Sequence, residues 1–140
     1  MPYLDTSVLT AYYCWEERSQ HVQRIVSEIE QPVISPLGQV EFHCAVARKV
    51  RSGTMEQAAA LRLFSEFRRH LDEPRYMIVP IQSAQYSLAS EWIARLVTPL
   101  RALDALHLAV AFANGLRLIT ADRDLARAAR QFGVEHELIS

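Results

Sequence analysis

Four acidic side chains stand where an acid needs a reason. Asp104 lies in the run LRALDALHLAVAFA (residues 100–113), flanked by Leu103, Ala105, Leu106 and Leu108, with Arg101 and His107 as its nearest polar neighbours. An ionised carboxylate in such a setting is costly unless a cation or hydrogen-bond donors answer it. Asp5 closes the short apolar run PYLD, Asp122 lies two residues beyond the apolar run LRLIT, and Glu41 interrupts the stretch QVEFHCAVA. Brought together, these carboxylates repel and would take up protons unless a divalent cation keeps them charged. Mg²⁺ or Mn²⁺ suits such a set, because both prefer oxygen ligands, keep several waters and commonly sit between carboxylates and substrate phosphates.

Each acid also has a simpler reading. Asp5 and Asp122 precede helices, where an Asp N-cap is worth about 1 kcal/mol. Asp124 complements the dipole of a helix's first turn. Glu41 reads as a solvated helix residue. Asp104 could pair with Arg101 three residues earlier, although a surface pair of that kind contributes little and leaves its apolar neighbours unexplained.

The elements that must position these acids follow from the apolar period, which switches repeatedly. Short apolar runs predict strands at residues 2–5, 32–35, 76–81 and 116–120, with a weak last one at 134–138. Helical spacing predicts helices at 6–15, 19–30, 37–50, 54–73, 83–96, 103–114 and 122–132, with Gly53, Gly115 and Gly133 as stops. Strands alternating with helices imply an α/β fold, a mostly parallel central sheet of four to five strands covered on both faces in three α/β/α layers. Ligands in such sheets collect beyond the carboxyl ends of the strands. Asp5 and Asp122 sit at that address.

Composition narrows the rest. A chain of 140 residues, half of them hydrophobic, predicts one globular domain over residues 1–140 with a real core. No apolar run approaches the ~20 residues of a membrane span, and the N-terminus lacks a basic segment leading into an apolar one, so a cytoplasmic protein without a membrane partner is expected. Cys14 and Cys44 are expected as reduced core residues. A net charge of −1 announces no global basic field, yet fourteen of the fifteen basic residues are arginine and only Lys49 is lysine. Arg48, Lys49 and Arg51 cluster on the helix that carries Glu41 and could touch nucleic-acid phosphates, or could merely suit that helix's C-terminal dipole.

The segments YLDTSVL (residues 3–9), VEF (40–42), LDALHLAVA (103–111) and LITADRDLA (118–126) resemble, in order and spacing, the four acidic motifs of PIN-domain ribonucleases, particularly the toxin nucleases of bacterial toxin–antitoxin pairs. The resemblance spans nearly the whole chain. It implies a metal-dependent endoribonuclease with Asp5, Glu41, Asp104 and Asp122 as metal-binding acids, Thr6 and Thr120 as supporting hydroxyls, and Asp124 as an additional acid. In that chemistry the cation activates a water and neutralises the charge developing on the scissile phosphate, with Mg²⁺ or Mn²⁺ as cofactor and RNA as substrate. No histidine is required as base. His107, one turn beyond Asp104, could touch the site, but a satisfied or solvated histidine is the more ordinary reading. The resemblance also implies an antitoxin partner and a homodimer. Apolar and aromatic residues on two helices, Leu61, Phe64, Phe67, Tyr86, Trp92 and Ile93, exceed what one small sheet is expected to cover and point independently to an interface.

Rival functions are weaker. A haloacid-dehalogenase-like phosphatase usually wants a second Asp two residues after its nucleophile, where this chain has Ser7. A phosphoacceptor signalling domain needs a lysine after a late strand, and Lys49 lies in a helix. A non-catalytic PIN-like RNA-binding or scaffold protein would not need all four acids.

Overall fold

A computed structural model describes all 140 residues. Five strands, β1 (Pro2–Leu4), β2 (Val33–Ile34), β3 (Met77–Ile78), β4 (Arg117–Thr120) and β5 (His136–Leu138), form one parallel sheet in the order β3-β2-β1-β4-β5. Seven helices accompany it: α1 (Thr6–Tyr13), α2 (Ser19–Ser27), α3 (Pro36–Arg51), α4 (Gln57–Asp72), α5 (Ser83–Ala94), α6 (Ala102–Ala113) and α7 (Arg123–Gln131).

Both sheet faces are apolar because successive strand residues point to opposite sides. Tyr3, Val33 and Leu118 join α5, α6 and α7 on one face, around Trp92, Leu108 and Leu125. Their neighbours Leu4, Ile34 and Ile119 join α1 to α4 on the other, around Phe42, Val46 and Phe67. This is the expected three-layer α/β/α arrangement, with every strand pair parallel. From β1 the chain turns to β2 and β3 on one side, whereas β4 and β5 lie on the other. The carboxyl ends of β1 and β4 therefore flank the point where strand order reverses, the usual crevice for a ligand in an open α/β sheet.

Several expectations are corrected. The segment at 76–81 is a two-residue edge strand with both residues exposed, because its only partner β2 is equally short and Pro80 has no N–H to donate. Helix α4 starts at Gln57, since Thr54 turns back to donate its hydroxyl to the Lys49 carbonyl at the end of α3. Phe67 and Trp92 are core residues rather than interface candidates, and Phe64 and Ile93 pack partly against the core; only Leu61 and Tyr86 of that set are exposed. Both cysteines are free, but Cys44 is exposed on α3. Gly115 and Gly133 do adopt the left-handed conformation that ends α6 and α7.

Buried His70 ties α1, α4 and the approach to β3. Arg75 Nη1 donates to His70 Nε2 at 3.1 Å, so Nδ1 carries the ring proton and faces the Tyr13 hydroxyl at 2.6 Å, itself 2.5 Å from that of Tyr76. Burial, then the Arg75 charge, holds the His70 imidazole below its ordinary 6.5, against the opposing charge of Glu66. The unfolded chain then binds this proton more readily than the folded one. The stability His70 supplies is thus present above pH 6.5 and is lost as pH falls below it. Chemical denaturation from about pH 7.5 to about pH 5 should show a smaller loss of unfolding free energy for His70→Gln than for the native chain; equal losses would remove His70 as the source.

Candidate active site

Asp5 ends β1 and caps α1, and it is only 3 % exposed. Its Oδ1 accepts from the Ser7 hydroxyl at 2.6 Å and the Val8 N–H at 3.1 Å; Oδ2 accepts from the Thr120 hydroxyl at 2.5 Å. Thr120 arrives at the end of β4 because Leu4 and Ile119 are paired in register, and the Asp5 N–H donates to the Ile119 carbonyl at 3.2 Å. The same Thr120 oxygen accepts the Asp122 N–H at 3.0 Å, and Ser7 Oγ accepts that of Ala121 at 2.9 Å. Asp122 in turn caps α7, its Oδ1 accepting from Asp124 N at 2.8 Å and Leu125 N at 3.3 Å. Both aspartates are therefore structural caps, as the simpler reading has it, and both stand at the strand ends. Burial raises the Asp5 carboxyl above its usual range despite the Ser7 and Thr120 hydrogen bonds.

Glu41 comes from the second turn of α3. Its Oε1 accepts from the Thr6 hydroxyl at 2.7 Å and lies 2.5 Å from His107 Nε2. Burial alone would raise this carboxyl; the hydrogen bond and charge of His107, with Thr6, hold it below its ordinary value. An ionised acceptor at Nε2 requires that nitrogen to carry a proton, and Nδ1 lies 2.6 Å from the Tyr3 hydroxyl. The Tyr3 hydroxyl is in turn 2.8 Å from Ser35 Oγ, and Ser35 caps α3 by accepting the Gly38 N–H at 3.3 Å. One hydrogen-bonded chain, Gly38 to Ser35 to Tyr3 to His107 to Glu41, thus crosses from β1 and the start of α3 to α6. Tyr3, Ser35 and His107 are all buried, and each has partners on both sides in this chain.

Asp104 sits in the first turn of α6, where the helix dipole favours it, one turn before His107. It is half-buried and its Oδ2 lies 3.5 Å from Arg101 Nε, so the simple ion pair is formed, through an arginine whose side chain is 84 % exposed. Burial raises the Asp104 carboxyl, Arg101 opposes that, and the charge of Asp122 raises it further. His107 acts electrostatically on Asp5 and Asp104 as well as bonding Glu41. The structure thus brings Asp5, Glu41, Asp104 and Asp122, with Thr6 and Thr120, to the reversal point of the sheet. As they stand, no three His, Cys, Asp or Glu side chains are grouped closely enough to hold a metal ion.

A match to the PIN domain family covers residues 3–131. The chain belongs to the PIN domain family. No curated protein matches its sequence. Among solved structures, this PIN domain is similar to VapC20 of Mycobacterium tuberculosis, described as a sarcin-ricin loop cleaving toxin, at 17 % identity over 91 % of this chain and 95 % of that one, with a TM-score of 0.73. FitAcB from Neisseria gonorrhoeae is 22 % identical over 97 % and 96 %, with a TM-score of 0.70. A toxin–antitoxin complex from Klebsiella pneumoniae is 20 % identical over 90 % and 91 %, with a TM-score of 0.58. At these identities the likeness is one of fold.

The remaining residues singled out in the sequence lie elsewhere. Asp124 is 81 % exposed and pairs with Arg127 at 3.0 Å on the outer face of α7. Arg48, Lys49 and Arg51 occupy the last turn of α3, and Arg51 is ten residues, roughly 15 Å of helix, beyond Glu41. Lys49 pairs at 3.5 Å with Glu16, past the far end of α1. The largest surface hollow lies between α1, α2 and α4, lined by Tyr12, Gln20, Arg24 and Glu66, away from the acids. The contribution of His107 was legible only as its position one turn after Asp104; Tyr3, Ser7 and Ser35 carried no signal beyond their residue type. Tyr3→Phe, which strips the hydroxyl between Ser35 and His107, should cost about 1–3 kcal/mol in urea denaturation. A midpoint unchanged from the native chain would mean that the buried chain contributes nothing.

Proposed function

We propose that this PIN domain is the toxin of a type II toxin–antitoxin pair and cleaves RNA phosphodiester bonds with a divalent cation, Mg²⁺ or Mn²⁺, held by Asp5, Glu41, Asp104 and Asp122. The observation that carries the proposal is the meeting of these acids at the sheet's reversal point, Asp5, Glu41 and Asp122 positioned by hydroxyl, backbone or imidazole partners and Asp104 by the Arg101 guanidinium. The donor set suits a hard cation. Glu41 Oε2, Asp104 Oδ1 and Asp122 Oδ2 take no part in the hydrogen bonds and ion pair described, and Asp5 Oδ2 takes only one. Burial raises the Asp5 and Asp104 carboxyls, and the charge of Asp122 adds to the rise at Asp104, a cost that a bound cation would offset.

A cation bound there supplies Lewis-acid polarisation of the scissile phosphate and lowers the pKa of a coordinated water. The chain's own residues do the rest. Thr120 and Ser7 keep the buried Asp5 oriented, Thr6 and His107 fix one oxygen of Glu41 and leave the other free, and Asp122 presents its free oxygen from the start of α7. An antitoxin partner is supported by the likeness to a complex described as toxin–antitoxin. A homodimer is proposed on narrower ground than the aromatic count gave: Leu61 of α4, Tyr86 of α5, and Met77 and Ile78 of the edge strand β3 are exposed.

Asp104→Asn should abolish cleavage of RNA in Mg²⁺ or Mn²⁺ while leaving the fold intact or slightly more stable, since it removes one of several repelling charges; cleavage at the native rate would overturn the assignment. Millimolar Mn²⁺ should raise the melting temperature of the native chain by mass action, and Asp5→Asn with Asp122→Asn should erase that rise.

Light scattering of the isolated protein at tens of micromolar should report about twice the chain mass, as expected for a closed homodimer. A strictly monomeric species would remove the dimer. The product of a neighbouring open reading frame that neither binds this chain nor blocks its cleavage of RNA would separately remove the antitoxin.

A further inference from the structure

The exposed face of α7 gathers positive charge beside the acids. Arg123, Arg127 and Arg130 are all exposed, and spacings of four and three residues align them on one helix face over about 10 Å. Arg123 is shared by two adjoining hollows, one lined also by Arg18, His21 and Ser140, the other by Arg127, Arg130 and His136. Arg18 reaches from the residue before α2 to donate its Nη1 to the Ala121 carbonyl at 2.7 Å, one residue from Asp122. Against these cations stand Glu17 and Asp124, the latter already paired with Arg127. In a chain of net charge −1 this is a local excess of one sign, and it begins at the capping residue of the candidate site.

We infer that this strip seats the sugar–phosphate backbone of single-stranded RNA, so that the strand enters the site over α7 and the turn between β4 and α7. The inference rests on the ribonuclease reading. A polyanion approaching several carboxylates is repelled unless nearby cations offset them, and the strip does so where Asp122 emerges. Guanidinium groups answer phosphate oxygens in pairs, which fixes the position of a strand without reading its sequence. Arg48, Lys49 and Arg51 form the other basic cluster, in the last turn of α3, with Lys49 engaged by Glu16, and serve as the comparison in the test.

The test separates binding from cleavage by working in the Asp104→Asn chain with a labelled oligouridylate and fluorescence anisotropy over a range of salt. Adding Arg123→Gln, Arg127→Gln and Arg130→Gln together should weaken binding tenfold or more and reduce the slope of log affinity against log salt by about 2, since each phosphate contact on a single strand contributes about 0.7. Arg48→Gln, Lys49→Gln and Arg51→Gln together should change affinity less than twofold. Glutamine keeps helix propensity, and circular dichroism checks that α7 persists. Unchanged affinity in the α7 variant, a loss carried instead by the α3 variant, or no RNA binding by the Asp104→Asn parent at low salt would overturn the inference. So would loss of antitoxin binding with RNA binding intact, which would make the strip a protein interface. Binding through α7 with no cleavage by the native chain in Mn²⁺ keeps the strip and overturns the nuclease reading, whereas cleavage with α7-independent binding does the reverse.

Discussion

The carboxylate of Asp5 is almost fully buried at the junction of β1 and α1, and a buried charge must be met by donors or it will neutralise or unfold its surroundings. Three donors meet it: the Ser7 hydroxyl and Val8 N–H from α1, and the Thr120 hydroxyl from β4. Only parallel pairing of β1 with β4, in the register that sets Leu4 against Ile119, delivers Thr120 to that point. The chain must therefore leave β1 on one side for β2 and return on the other for β4, which creates the strand-order reversal where the acids gather. Thr120 then fixes the backbone of Asp122, so one hydroxyl couples two of the acids.

A second constraint acts on Glu41 and Asp104. They come from helices on opposite faces of the sheet, α3 and α6, and His107 of α6, one turn after Asp104, bonds Glu41 across the cleft. Its ring is held from behind by Tyr3, a strand residue, which is held by Ser35, a helix cap. Burying so many polar atoms is stabilising only when every one is satisfied, and no buried side-chain nitrogen or oxygen lacks a partner. The same satisfaction that keeps the fold unique leaves one oxygen of Glu41 free at the cleft, so structure and the proposed chemistry draw on different atoms of one side chain.

Sequence pattern revealed most of what depends on local periodicity. The alternation of short apolar runs with helices gave the parallel sheet, and Asp5 and Asp122 were visible at strand ends, whereas Thr6 and Thr120 were named only by the family resemblance. What escaped depends on long-range partners. His107 meets Tyr3 and Glu41 across separations of 104 and 66 residues, and nothing around it distinguishes a bridging histidine from an ordinary core one. Phe67 and Trp92 looked like more apolar area than one small sheet could cover, whereas each packs into the core on a different face of it. Arg48, Lys49 and Arg51 share a helix with Glu41, and only the length of that helix puts them away from it. Arg123 lies inside the segment LITADRDLA, and nothing in the sequence singled out Arg123, Arg127 and Arg130 as a group.

The central claim, that these acids form a cation-dependent site for cleaving RNA, is tested most directly by the native protein with a single-stranded RNA under three conditions: Mn²⁺, Mn²⁺ with excess chelator, and chelator followed by fresh Mn²⁺. The account predicts cleavage in the first, none in the second and recovery in the third. Cleavage that persists in chelator, or an RNA left whole in all three by a chain that is folded, would contradict it.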